Sequence, residues 1–125
     1  MSEASPVRQV IERYLRAYEE GDYAACEAMF ADHAVFEDPV GTRRFEGIEA
    51  IREFLRSAPA EIKIKADVHK IVECGRDAMF HYAMIITGWR DNPVGIKVYE
   101  TIAIDDAGKI TSLRAFWNEG SIRDL

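Results

Sequence analysis

The chain has 125 residues, 48% hydrophobic and 30% charged, which fits one globular domain spanning residues 1–125 with a single core. Its formal net charge is -6, and no cluster of Lys and Arg interleaves with aromatic residues, so the composition argues against a nucleic-acid partner. No apolar run approaches the roughly 20 residues that a membrane span requires, and residues 1–10 lack the pattern of a secretory signal, which favours a cytoplasmic location.

The segment from Ser5 to Gly21 predicts a first helix over roughly residues 6 to 20. Ser5 is a good N-cap, Pro6 suits the first turn, and Gly21 is able to adopt the left-handed conformation that ends a helix. The apolar residues follow the helical repeat and place Tyr14 in the middle of the buried stripe. We therefore expect the Tyr14 hydroxyl to need a hydrogen-bond partner inside the protein.

Two further helices are predicted before residue 60. Asp22 caps a short second helix that ends near Ala31, and a third helix follows Gly47 and cannot continue far past Pro59. The stretch over residues 34–47 between them is predicted to be irregular. Asp38 lies in this stretch before a proline, where the pattern is typical of a turn or cap residue as well as of a chemical role.

The second half of the chain is predicted to form strands. From Glu61 the apolar residues alternate with polar ones as in a strand with one buried face, which carries Ile62, Ile64, Ala66 and Val68. Three more strand-like runs cover roughly residues 78–89, 95–105 and 109–118. The sequences between these runs are typical of hairpin connections. Helices followed by such a meander predict an α+β fold, with the helices on one side of a curved, mostly antiparallel sheet.

A carboxyl interrupts an apolar row in the strand over residues 96–104. One face of this strand carries Glu100 between Val98 and Ile102, and the opposite face is the more polar one. Turning Glu100 outward would expose four aliphatic side chains, although the row could instead face solvent or a polar group of a partner. If Glu100 is buried without a cation, desolvation raises its pKa and keeps it as a neutral hydrogen-bond donor.

Neither a metal site nor covalent chemistry has a sequence signature here. Cys26 and Cys74 lack a partner spacing and are interpreted as small buried apolar residues, with a disulfide as the alternative. His33, His69 and His81 are too far apart in sequence for a local ligand cluster, and the alternative is a site that the fold assembles from one of them and nearby acidic side chains. There is no phosphate-binding glycine loop, nucleophile elbow or Cys-x-x-Cys, so acid-base chemistry by carboxyl and phenol groups remains.

The run MFADHAVFEDPVGTRRFEGIEAIREF, over residues 29–54, resembles the ketosteroid isomerases of the nuclear transport factor 2-like superfamily. The resemblance extends from Arg13-Tyr14 through Glu37-Asp38-Pro39 to the Asp-x-x-Gly-x-Ile pattern at 105–110 and the Ala-Phe-Trp at 115–117. It implies a cone-shaped fold and a steroid delta-isomerase that needs neither cofactor nor metal. It also implies a hydrophobic steroid as ligand and a homodimer as the assembly.

The same resemblance implies roles for three residues. Tyr14 matches the oxyanion-hole tyrosine of the family, and Asp38 matches the base that moves the proton. Glu100 falls where the family has a protonated aspartic acid. The longer glutamate keeps the donor type and changes its reach by roughly one bond length.

Other positions match the family's substrate pocket or depart from its pattern. Leu113, Ala115 and Trp117 share one strand face and resemble the apolar pocket wall of the family. Phe30 and Leu55 stand where the family has two tyrosines that support the oxyanion tyrosine. Tyr14 is therefore expected to find other support or to work without it.

Two other classes of function remain open for this fold. A polyketide cyclase would be able to use Asp38 as its base, whereas an epoxide hydrolase of this fold is expected to show an Asp-Arg-Asp arrangement that the sequence lacks. A protein that only binds hydrophobic ligands would bind a steroid without isomerising it. The loss of the two supporting tyrosines keeps this last alternative open.

Overall fold

The computed structural model of the chain describes residues 4–125. Residues 1–3 belong to the predicted domain and to the N-terminal segment considered above, and they lie outside the described residues. In chain order the elements are α1 (Pro6–Glu20), α2 (Tyr23–Ala28), β1 (Phe30–Glu37), β2 (Arg44–Glu46), α3 (Ile48–Arg56), β3 (Lys63–Cys74), β4 (Asp77–Thr87), β5 (Val94–Ile104), β6 (Ile110–Phe116), a 3-10 helix (Glu119–Ser121) and β7 (Ile122–Asp124).

The helices begin where their capping residues predict. Ser5 accepts a hydrogen bond from the backbone N–H of Arg8, and Gly21 ends α1 with a φ of 69°. The side chain of Asp22 caps α2 in the same way. The prediction that α2 ends near Ala31 is wrong, because the helix ends at Ala28 and the chain enters β1 two residues later.

The prediction that residues 34–47 are irregular is wrong for half of this stretch. Residues 34–37 belong to β1 and residues 44–46 to β2, and the two strands pair antiparallel through Val35–Glu46, Phe36–Phe45 and Glu37–Arg44. β1 also pairs in parallel with β6, far along the chain. Partners this distant in sequence stabilise a strand that its own apolar pattern does not predict.

The strands form one seven-stranded sheet in the order β2-β1-β6-β5-β4-β3, with β7 on β5. The predicted antiparallel meander from β3 to β6 is confirmed. α1 packs against β3, β4 and β5, while α3 packs against β1 and β2. The α+β architecture with helices on one face of a mostly antiparallel sheet is therefore confirmed.

The core lies between the helices and the inner face of the sheet. On β5 the whole predicted row is buried, and the exposed fraction of Glu100 is 4%. Two predictions about β3 are wrong. Val68 is 40% exposed beside a bulge that shifts the strand register, and Cys74 at the strand end is exposed, whereas Cys26 is buried as predicted.

The outer face of the sheet carries large apolar side chains in contact with solvent. Val72, Met79, Ile85, Tyr99 and Phe116 lie on this face, and their exposed fractions range from 38% to 53%. No helix within residues 4–125 has the length and apolarity needed to cross a membrane.

Candidate active site

A cavity of about 250 Å³ opens between the helices and the inner face of the sheet. Its wall is largely apolar, with aliphatic and aromatic side chains from α1, α3, β3, β4 and β5. The side chains of the lining that carry polar or charged atoms are Tyr14, Tyr18, Tyr23, Asp38, Arg43, Tyr82, Trp89, Glu100 and Trp117. A few convergent polar groups in an apolar concavity are typical of a small-molecule site.

Asp38 follows directly after β1 and joins Pro39 through a cis peptide bond. Its backbone N–H donates to the Arg43 carbonyl at 3.0 Å, and the Arg43 Nε–H donates to the Asp38 carbonyl at 2.6 Å. The backbone of Asp38 is thus part of a closed loop, as the turn interpretation predicts. Its side chain nevertheless lines the cavity, and its Oδ1 accepts a hydrogen bond from the Trp117 Nε1–H at 2.7 Å.

Opposing effects act on the Asp38 carboxyl. Burial raises its pKa, while the Trp117 hydrogen bond and the positive charge of Arg43 lower it. The net change is upward, so the carboxylate is a stronger base than an exposed aspartate. Trp117 and Arg43 keep this stronger base available in its charged form.

Trp117→Phe should raise the pKa of Asp38, because the charged form loses the hydrogen bond that stabilises it while the site stays buried. A carbon-13 NMR titration of the aspartate carboxyls would measure this, with Asp38→Asn identifying the resonance. Trp89→Phe is the matched control, since Trp89 lines the cavity and is not the indole that donates to Asp38. An unchanged or lower Asp38 pKa in Trp117→Phe would contradict the conclusion that the Trp117 hydrogen bond lowers this pKa.

Glu100 lies on β5 and its carboxyl is hydrogen-bonded within the cavity wall. The Tyr82 hydroxyl, on the neighbouring strand β4, donates to Glu100 Oε1. Burial raises the pKa of Glu100 to about 8, the Tyr82 hydrogen bond opposes this rise, and the charge of Asp38 adds to it. Glu100 is therefore mostly protonated at pH 7 and able to donate a hydrogen bond.

Tyr14 is buried on α1 with its ring packed among aromatic side chains. Its ring centroid lies 5.9 Å from that of Phe30 in an edge-on arrangement and 5.4 Å from that of Tyr18. Its buried hydroxyl has no hydrogen-bond partner among the described residues. Burial holds its pKa well above the usual value, so the phenol stays neutral. An unsatisfied buried donor costs about 1–3 kcal/mol, which a ligand acceptor would recover.

The structure brings Tyr14, Asp38, Glu100 and Trp117 to one cavity. The other two predicted pocket residues, Leu113 and Ala115, are buried in the core and do not line the cavity. Leu55 and Phe30 are likewise buried, and neither side chain has a hydroxyl that could donate a hydrogen bond to Tyr14.

Sequence reasoning missed Tyr82 and the contact between Trp117 and Asp38. The inner row of β4 carries Tyr82 among apolar residues, the same kind of interruption that singled out Glu100, and this pattern could have found it. Within residues 4–125 no group of three or more His, Cys, Asp or Glu side chains is arranged to hold a metal ion. The cavity wall therefore offers the Asp38 carboxyl, the mostly protonated Glu100 carboxyl and several neutral phenols, of which the Tyr14 hydroxyl is the one without a partner among the described residues.

Comparisons with known proteins show the family and the fold of the chain. Residues 11–113 match the SnoaL-like domain family. The chain is 32% identical over 119 residues to a steroid delta-isomerase from Nocardioides simplex, with 95% of each chain covered. It is also similar to the solved structure of a Δ5-3-ketosteroid isomerase from Mycobacterium sp., at 22% identity and a TM-score of 0.87, covering 98% of this chain and 100% of the other.

A second enzyme is about equally similar in sequence. SalBIII, an epoxide hydrolase/cyclase-like enzyme with a role in pyran ring formation in the polyether salinomycin, is 30% identical, with a TM-score of 0.83 and 95% of each chain covered. The chain thus resembles both an isomerase and a cyclase-like enzyme.

Proposed function

Since the chain belongs to the SnoaL-like domain family, with the nuclear transport factor 2-like fold, we propose that it is a steroid delta-isomerase. The reaction converts a β,γ-unsaturated 3-ketosteroid to its α,β-unsaturated isomer without cofactor or metal. The observation that carries this proposal is a base, Asp38, and a mostly protonated acid, Glu100, on the wall of one apolar cavity.

In the proposed mechanism Asp38 removes the proton between the carbonyl and the double bond. The electron pair moves into a dienolate, whose oxygen accepts hydrogen bonds from Tyr14 and Glu100. Asp38 then returns the proton to the γ carbon, so the double bond moves into conjugation with the carbonyl. No atom is gained or lost, and Asp38 ends the cycle as a carboxylate.

The environment of each group suits its proposed part. The raised pKa of Asp38 makes it a stronger base. Tyr14 and Glu100 stay neutral because burial raises the pKa of each, so they are able to donate to an oxygen that is becoming negative. The apolar wall excludes water, which strengthens these hydrogen bonds.

The direct test is to follow the absorbance of the conjugated enone while the protein acts on a 3-keto-5-ene steroid. We expect turnover in buffer that contains a chelator and no added cofactor. Steroid binding without enone formation would identify a binding protein instead and would contradict the proposal.

The second candidate function is that of a cyclase-like enzyme acting on a polyketide. SalBIII is nearly as similar to this chain as the steroid isomerase is. A base and a neutral acid in one cavity are also the two groups needed to activate a hydroxyl and to protonate an opening epoxide or other leaving oxygen. Ring closure of a hydroxy-epoxide, without action on the steroid, would favour this candidate.

We also propose that two copies of the chain pair through the outer face of the sheet, defined above by Val72, Met79, Ile85, Tyr99 and Phe116. These apolar side chains are exposed because the helices cover only the inner face. Sedimentation should show a dimer at micromolar concentration, and Met79→Asp should shift it toward monomer. A monomeric wild-type protein would contradict this pairing without affecting the proposed chemistry.

A further inference from the structure

The pair formed by Tyr82 and Glu100 joins two strands across the inner face of the sheet. In the β4–β5 register Tyr82 lies opposite Val98, so Glu100 is its diagonal neighbour on the same face. Both side chains are buried, with exposed fractions of 3% and 4%. Both also line the cavity, so their hydrogen bond lies at the wall of the site rather than deep in the core.

The Tyr82 hydroxyl donates this hydrogen bond and the Glu100 carboxyl accepts it. Burial and the nearby Glu100 hold the pKa of Tyr82 well above its usual value, so the phenol keeps its proton and donates it. Glu100 Oε1 accepts the hydrogen bond from this O–H. In a neutral carboxylic acid the carbonyl oxygen is the better acceptor and the other oxygen carries the hydrogen. Occupation of Oε1 by Tyr82 therefore favours the form in which Oε2 carries the acid proton.

We propose that Tyr82 is a positioning residue, which holds Glu100 with Oε1 as an acceptor and leaves the Oε2–H as the donor to a bound oxyanion. This inference rests on the proposed function, in which Glu100 is one of two donors. Tyr14 lacks any such support, because its hydroxyl has no partner among the described residues. The phenol support in this chain therefore lies behind the acid and not behind the oxyanion tyrosine.

The same contact sets the pH range in which Glu100 remains a donor. The Tyr82 hydrogen bond lowers the pKa of Glu100, because it stabilises the carboxylate more than the acid. The other titratable groups that line this cavity are Tyr14 and Tyr18 from α1, Tyr23 from α2, and Asp38 and Arg43 from the loop after β1. Asp38 acts on Glu100 in the opposite direction and raises its pKa.

Tyr82→Phe removes the hydroxyl and keeps the ring, which stacks on Phe80 at a centroid distance of 5.7 Å. We expect the Glu100 pKa to rise above its value near 8 by about one pKa unit or more, as loss of a hydrogen bond to a charged group predicts. The alkaline loss of kcat/KM should therefore move to higher pH by the same amount. The value of kcat should fall about tenfold, because Glu100 loses its fixed orientation. Tyr99→Phe is the matched control for the Glu100 pKa, since it removes the hydroxyl of the chain neighbour of Glu100 on the opposite face and keeps the ring that belongs to the proposed pairing surface.

The decisive readout is a carbon-13 NMR titration of the glutamate carboxyls, with Glu100→Gln identifying the resonance, because it needs no substrate. Tyr82→Met, which also lacks the hydroxyl, provides a second variant should Tyr82→Phe fold poorly. A Glu100 pKa that either folded variant leaves unchanged would overturn the inference, whatever the steroid assay shows. A raised Glu100 pKa in the absence of any steroid turnover by the wild type would support the contact's effect on Glu100 and contradict the proposed isomerase function.

Discussion

Asp38→Asn should lower turnover of a 3-keto-5-ene steroid by at least the roughly 10² to 10⁴ that general base catalysis contributes. The amide has nearly the shape of the carboxyl and is still able to accept a hydrogen bond from Trp117 through its oxygen. It cannot take up a proton from the steroid at neutral pH. We therefore expect kcat to collapse while the dissociation constant of the steroid stays close to that of the wild type.

The control for this variant is Asp32→Asn, the same substitution at an exposed position on β1. It should leave turnover unchanged, and both variants should unfold at temperatures close to that of the wild type. Steroid turnover by Asp38→Asn within tenfold of the wild type would mean that Asp38 serves only its loop. The base would then have to be sought elsewhere in the cavity lining.

The local parts of the fold could be predicted because their causes lie within a few residues of each other. The limits of α1 follow from the cap at Ser5 and the left-handed Gly21. The burial of Glu100 follows from the alternation of its strand, since turning one residue outward would turn out the whole row. Each of these rests on a periodicity or a cap that a single segment contains.

The contacts around the site could not be predicted because they join distant segments. Trp117 and Asp38 are 79 residues apart in the chain, and their hydrogen bond depends on the parallel pairing of β1 with β6. Tyr82 meets Glu100 only because the β4–β5 register makes them diagonal neighbours. The alternation of residues along the last strand predicted that Trp117 faces the cavity, but it did not identify Asp38 as its hydrogen-bond partner.

Glu100→Ala should lower kcat by roughly 10² to 10³, the usual cost of removing one oxyanion donor. Glu100→Gln should lower it much less, because Tyr82 is still able to donate to the amide oxygen while the amide N–H₂ replaces the acid O–H as donor. Glu100→Asp restores the residue type of the family and tests whether reach limits the rate. Glu53→Gln, at an exposed position on α3, is the control.

The pH dependence separates a neutral donor from a surface carboxylate more sharply than the rates do. The pKa of Glu100 is raised from 4.5 to about 8 in the folded chain, so the wild type should lose activity as the pH rises through about 8. Glutamine does not ionise, and Glu100→Gln should therefore lack this alkaline loss. The same sign applies to stability. The favourable contribution of the protonated form is complete below the unfolded pKa and decreases as the pH rises toward about 8, by about 1.4 kcal/mol per pH unit at most.

Tyr82 complicates the alanine variant in a way that is itself testable. Without the glutamate its buried hydroxyl loses its acceptor and becomes a free donor at the cavity wall. It would then be able to donate to the dienolate in place of Glu100, so that Glu100→Ala alone underestimates the contribution of the acid. The double variant Glu100→Ala/Tyr82→Phe should then fall further than the single one, both in kcat and in affinity for a phenolic mimic of the dienolate. Equal turnover and equal mimic affinity in the wild type, Glu100→Gln and Glu100→Ala would place Glu100 outside the chemistry. Tyr14 would then be the remaining proposed donor to the dienolate oxygen.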